Sequence, residues 1–132
     1  MEISSEQIQG RVSVTVLRLK GDLDASSVDA FSAAANQAVD SGAKDILLDF
    51  SGVPFMSSAG LRALHALFSL LHPSNSQQEK DAIYQGISAG TYSAPHLKLL
   101  RPSQKVEDVL KMSGMDMYLK WYKDEKEAIA TF

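Results

Sequence analysis

Ser57 and Ser58 stand where the turn SGVPFMSS gives way to an apolar helical stripe, so both hydroxyls fall at a predicted helix N-terminus. Backbone N–H groups without intrahelical partners and the positive end of the helix dipole meet there, and together they favour an anion. Taken singly, either serine is a helix cap. Three acids change that reading. Asp22 and Asp24 lie in GDLD and Asp49 closes DILLD, all at predicted strand termini, and the three are expected to converge near the two hydroxyls. Gly60 permits close packing one step into the helix. Outside this setting the acids would be turn residues, and Asp49 would simply hold a backbone N–H.

Other chemistry has less support. SSAG lacks the GxSxG frame that a serine-hydrolase elbow requires. His65 and His72 are seven residues apart on one helix with no third ligand at metal spacing, and His96 opens a strand, so all three read as solvated or packed histidines. Gly86 and Gly90 match neither a phosphate loop nor a dinucleotide fingerprint. There is no cysteine, which removes disulfides, thiolate metal sites and a thiol nucleophile and is compatible with a reducing compartment. No catalytic residue, metal or cofactor is expected.

The elements that must position the serines follow from periodicity. RVSVTVLRLK at 11–20 alternates Val12, Val14 and Val16 before Leu17 and Leu19 shift the phase, which predicts a strand buried over most of its length. Ile3 to Ile8 reads as a weaker edge strand beside it. Val28, Phe31, Ala35, Ala38 and Val39 recur at helical spacing, so a helix over roughly 27–41 is expected, capped by Ser26 or Ser27 and ended by Gly42. KDILLDF at 44–50 is a central strand. Leu61, Leu64, Phe68 and Leu71, flanked by Leu67 and Leu70, form a second helix closed by Pro73. That stripe is wide enough to suggest burial beyond one contact, against a partner or a second copy.

Residues 73–95 are polar and bounded by prolines, and they read as a loop insertion or lid in which Ile83, Tyr84 and Ile87 support one amphipathic turn and nothing longer. HLKLL at 96–100 is the next strand. Ser103 caps a helix carrying Val106, Val109 and Leu110 and stopped by Gly114. Tyr118 to Tyr122 make a last strand, with Trp121 alternating against the two tyrosines, and Asp124 with Glu127 begins a terminal helix. Met112, Met115 and Met117 read as core filling. Three strand–helix–strand connections favour a mixed or parallel sheet whose functional crevice lies beyond the carboxyl ends of its strands.

The whole chain, 1–132, suits one α/β domain, with 45% hydrophobic and 22% charged residues. A net charge of −3 offers no field to attract nucleic acid or an anionic membrane. Four basic and eight acidic groups lie within residues 1–60, so an acidic site belongs to the first half. Neither a leader nor an apolar run long enough to span a bilayer occurs, and the cytoplasm is the expected location.

GDLDASSVDAF, DILLDFSGVPFMSSAGLRAL, HLKLLRPSQKVEDVLKMSGM and YKDEKEAIA together resemble the successive blocks of a STAS domain, the fold of bacterial anti-sigma-factor antagonists. The likeness covers nearly all of the chain except 73–95. It implies a mixed β-sheet covered by about four helices. It also implies a phosphorylatable residue at Ser58, followed by the small Ala59 and the Gly60–Leu61 pair, with Asp24 matching an acid of the facing loop. Where the family often has Asp before the acceptor, this chain has Ser57, which removes one negative charge and makes Ser57 the substitute acceptor.

The function so implied is a non-enzymatic binding switch. Asp22, Asp24, Asp49, Ser57, Ser58, Ala59, Gly60 and Leu61 would form the partner-binding surface, and the partner would be an anti-sigma factor of the serine-kinase type that phosphorylates the protein in the presence of ATP. The alternative is a structural STAS subunit of a sensory or lipid-transport assembly without phosphorylation. A small-ligand domain is a third reading, and it would need a pocket beneath 73–95.

Overall fold

The computed structural model describes residues 1–73, 77–88 and 92–132. Five strands form one sheet in sequence order: β1 (Glu2–Gln9), β2 (Ser13–Lys20), β3 (Ile46–Gly52), β4 (Leu97–Leu100) and β5 (Trp121–Tyr122). β1 runs antiparallel to β2, and every later neighbour is parallel. The chain moves one way across the sheet through three crossovers, and a common right-handed sense places their helices on one face. These are α1 (Val28–Asp40), α2 (Ser58–Leu71) and α4 (Gln104–Ser113). α5 (Glu125–Ala130) covers the other face.

The phase shift in RVSVTVLRLK reflects burial on both sides. Val14 and Val16 pack with Leu47, Leu100, Ala128 and Ile129 under α5. Leu17 and Leu19 join Ile46, Leu48, Phe50, Leu97 and Leu99 beneath the three crossover helices. Each strand side chain points opposite to its neighbour, so an apolar run is what a two-sided layer requires. Arg18 continues the α5 side. There its guanidinium reaches Glu125 at 2.7 Å, Glu6 at 2.9 Å and Asp49 at 3.1 Å, tying three strands to the terminal helix.

Several expectations need correction. Residues 77–88 form a twelve-residue helix, α3 (Gln77–Ser88), where one turn was expected, because Ile83 and Ile87 find apolar surface on the main body. Of that predicted loop, 74–76 and 89–91 lie outside the described residues, while Ala94 is buried and its N–H donates to the Tyr118 carbonyl at 2.8 Å. The edge strand expected over Ile3 to Ile8 is present and runs one residue further at each end, as β1. The last strand is only two residues long. Gly114 adopts a left-handed conformation (φ 80°) that ends α4 and leads into a 3₁₀ turn at Met115–Met117. Met115, Tyr118 and Leu119 then all enter the same core, which strand alternation would forbid. Trp121 leans on that core and Tyr122 on the opposite one.

The caps are mostly as expected. The Ser103 hydroxyl accepts from Val106 N–H at 3.3 Å, and the Asp124 carboxylate accepts from Glu127 N–H at 2.9 Å. Ser27 is the exception. It precedes α1 without a side-chain cap bond. Its buried hydroxyl instead donates to the Asp22 carbonyl at 2.7 Å and accepts from Asp24 N–H at 3.0 Å, knitting the GDLD turn to itself.

Candidate functional site

The GDLD turn after β2 and the VPFMSS turn after β3 are joined by a parallel bridge between Leu23 and Met56. Leu23 N–H donates to the Phe55 carbonyl at 3.0 Å, and Ser57 N–H donates to the Leu23 carbonyl at 2.9 Å. Both bridge residues are almost fully buried, so the two turns pack as one piece. Gly60 is the reason the helix can follow so closely. A Cβ there would stand 2.5 Å from the Leu23 carbonyl oxygen and 2.8 Å from Met56 Cγ, inside any tolerable contact.

This frame separates the two serines. Ser57 is the N-cap of α2, half-buried, with its hydroxyl accepting from Gly60 N–H at 3.3 Å. Its carbonyl takes Leu61 N–H at 2.9 Å. Ser58 is the first helical residue and is exposed, and its hydroxyl is left out of the capping bonds. The amides of Ser58 and Ala59 belong to the first turn, where an α-helix supplies no partner. An anion carried on Ser58 would therefore sit over free N–H groups and the positive helix end.

The acids do not all gather there. Asp22 is exposed on the turn, and Asp24 is held beside it in an Asx turn, accepting from Ser26 N–H at 2.9 Å and from the Ser26 hydroxyl at 2.6 Å. The Ser26 hydroxyl and N–H hold the Asp24 carboxyl below its ordinary value, so it is an anion at neutral pH. Asp49 departs from the expected convergence. It has the strand parity of Leu47, not of Leu48 and Phe50, and so lies on the α5 side of the sheet. Its carboxylate accepts from the Ser51 hydroxyl at 2.7 Å, Ser51 N–H at 2.9 Å and Arg18 at 3.1 Å. Burial pushes that carboxyl up, and these donors outweigh burial, leaving it below the ordinary value.

Residues 5–77 match the family model of the STAS domain. The chain belongs to the STAS domain family. Three solved structures share the fold of this STAS domain. A candidate anti-sigma factor antagonist from Thermotoga maritima is 20% identical with a TM-score of 0.71, covering 96% of this chain and 90% of its own. The Bacillus cell fate determinant SpoIIAA in its phosphorylated form is 25% identical with a TM-score of 0.58, covering 97% and 96%. An anti-sigma factor antagonist from Mycobacterium paratuberculosis is 17% identical with a TM-score of 0.68, covering 96% and 91%. No curated protein sequence matches significantly.

Two features of the STAS domain escaped the sequence reading. Phe55 is 45% exposed in the turn that carries the bridge, placing an aromatic ring on the same rim as Ser58. An apolar residue inside a Pro-containing turn was the available signal. The histidines are also not isolated. His72 Nδ1 donates to the Phe68 carbonyl at 2.8 Å, which leaves Nε2 to accept His96 N–H at 3.1 Å. The His72 ring stacks on Phe68 at 4.6 Å and leans on His96 at 5.3 Å, and His96 Nδ1 meets Asp45 at 2.8 Å. Sequence spacing did not reveal this group because α2 and β4 meet only in the folded chain. Among the described residues no cluster of ligands could hold a metal ion, and no helix is long and apolar enough to cross a membrane.

The His72 latch predicts a pH effect. Burial, and then the charge of His96, hold the His72 imidazole below its ordinary value of 6.5. The unfolded chain therefore binds the proton more readily. The contribution to stability is complete above the ordinary value and is lost as pH falls through the lowered folded one. His72→Gln is expected to flatten the fall in melting temperature between about pH 7 and about pH 5 relative to wild type. Parallel curves for the two proteins in a thermal series would rule the latch out.

Proposed function

We propose that the rim formed by the two joined turns binds a protein partner and that phosphorylation of Ser58 controls the binding. The observation that carries this reading is the Leu23–Met56 bridge, which sets an exposed helix-start hydroxyl beside the acidic GDLD turn. A phosphate on Ser58 adds about −1.5 to −2 charge, which the helix N-terminus accommodates in place. Beside Asp22 and Asp24 the same charge resists the desolvation that docking demands, so the partner is released while the fold persists. Phe55 and Leu61 supply the apolar contact.

The partner in this reading is an anti-sigma factor of the serine-kinase type, bound by the unmodified form and acting on it with ATP in the cytoplasm. Its capture frees a sigma factor, and the STAS domain itself performs no catalysis. The names of the structural relatives and the phosphorylated state of the Bacillus protein support the assignment. Incubation with ATP and a serine-kinase anti-sigma factor from the same cell, followed by mass mapping, is expected to place one phosphate on Ser58. That phosphate should persist in Ser57→Ala and vanish in Ser58→Ala. No label on either serine would favour the scaffold reading, in which the domain is a subunit of a larger assembly without a phosphoswitch.

A further inference from the structure

α3 meets the body of the protein through Ile87 and leaves space along the rest of its apolar side. It roofs a cleft of about 680 Å³ whose floor is α2 and whose end wall is the turn after α4. That volume lies within the range of small-molecule sites. Ile83, Tyr84 and Ile87 line the roof, yet Tyr84 remains 69% exposed and Ile83 and Ile87 are only partly covered. Phe68, Met117 and Tyr118 line the opposite side. A helix docked for stability alone would bury its apolar stripe against Phe68. Here Ile87 packs against the core that holds Phe68, while Ile83 and Tyr84 line the cleft beside it and stay largely uncovered.

Among the described side chains that line the cleft, Lys80 alone carries a fixed charge. Lys80, His65 and His72 line it, and no carboxylate does among the described residues. Lys80 enters no ion pair among those residues. Both ring nitrogens of His72 are already engaged, by Phe68 and His96. His65 Nδ1 and the Tyr118 hydroxyl are 3.0 Å apart. When that hydroxyl donates to Nδ1, the proton of the neutral ring resides on Nε2, which becomes its remaining donor. Burial, and then the neighbouring Tyr84, push the Tyr118 phenol up, so it stays protonated and able to donate.

We propose that the cleft between α2, α3 and the turn after α4 binds a small aromatic carboxylate, its ring between the aromatic walls and its anionic end toward Lys80. The cleft lies at the roof of the domain and is independent of the Ser58 rim, so either can fail without the other. The probe is 2-naphthoate, titrated into the isotopically labelled full-length chain and followed by amide chemical shifts. Saturable shifts confined to residues 65–72, 78–87 and 114–118 are expected. Lys80→Glu, an exposed change that leaves the fold intact, is expected to weaken binding about tenfold, and the uncharged 2-naphthalenemethanol should bind about tenfold more weakly than the acid. Tyr84→Ala should weaken both compounds. The proposal is overturned by an absence of saturable shifts at millimolar probe, by shifts centred on Ser58, or by equal affinity for the acid and the alcohol.

Discussion

Ser58→Asp is expected to weaken partner binding by about a hundredfold, near 3 kcal/mol, while leaving the melting temperature unchanged or raised by no more than about 5 °C. The two numbers separate because they depend on different surroundings. In the free protein the new carboxylate lies at the first residue of α2, where the helix dipole contributes a few tenths to about 1 kcal/mol in its favour. The wild-type hydroxyl there is exposed and outside the capping bonds, so its loss costs little. In the complex the same charge must leave water on the rim whose bridged turn carries Asp24, already ionised and fixed by Ser26. Isothermal calorimetry with the partner, beside a thermal melt, reads both quantities. Because repulsion at a rim is screened, the defect should shrink as salt rises. Ser58→Ala, which adds no charge, should bind as wild type does. Wild-type affinity in Ser58→Asp would remove the electrostatic switch, and a large drop in melting temperature would show that the hydroxyl is structural.

Gly60→Ala should be damaging for so small a change, costing about 2–3 kcal/mol of unfolding free energy. Alanine is ordinarily the better helix former by about 1 kcal/mol. At this position the added carbon would meet the Leu23 carbonyl oxygen at 2.5 Å and Leu23 Cγ at 3.0 Å. The first of these is backbone, held by the Ser57 N–H bond, so it cannot turn aside as a side-chain end could. Relief requires the GDLD turn to lift from α2, which breaks the Leu23–Met56 bridge and exposes two buried side chains. Urea denaturation measures the loss. Partner affinity should fall with it, because the acidic turn and the Ser58 hydroxyl would no longer be held in register. A change below about 0.5 kcal/mol would mean that the turn yields freely and the bridge does not set the geometry of the rim.

What could be read from the chain was what repeats locally. Leu64, Leu67, Phe68 and Leu71 announced the buried side of α2, and Ser103, Gly114 and Asp124 marked helix ends by local hydrogen-bonding and backbone conformation. The same locality explains the misses. The α3 pattern of Ile83, Tyr84 and Ile87 is too short to stand alone, and its length is decided by surface on α2 that lies outside the segment. The stretch at Tyr118 has strand composition, but the left-handed Gly114 and the core beneath it take Met115, Tyr118 and Leu119 together.

The site divides along the same line. A hydroxyl at a helix start after a strand, an acidic turn after the preceding strand and a glycine close behind the serines all follow from composition and spacing. Which serine is free depends on the assembled fold, since capping by Ser57 rests on the hydrogen bonds of the joined turns. The pairing of Asp49 with Arg18 on the far face likewise needs the folded sheet, because one step along a strand reverses a side chain and no local pattern says which partner waits there.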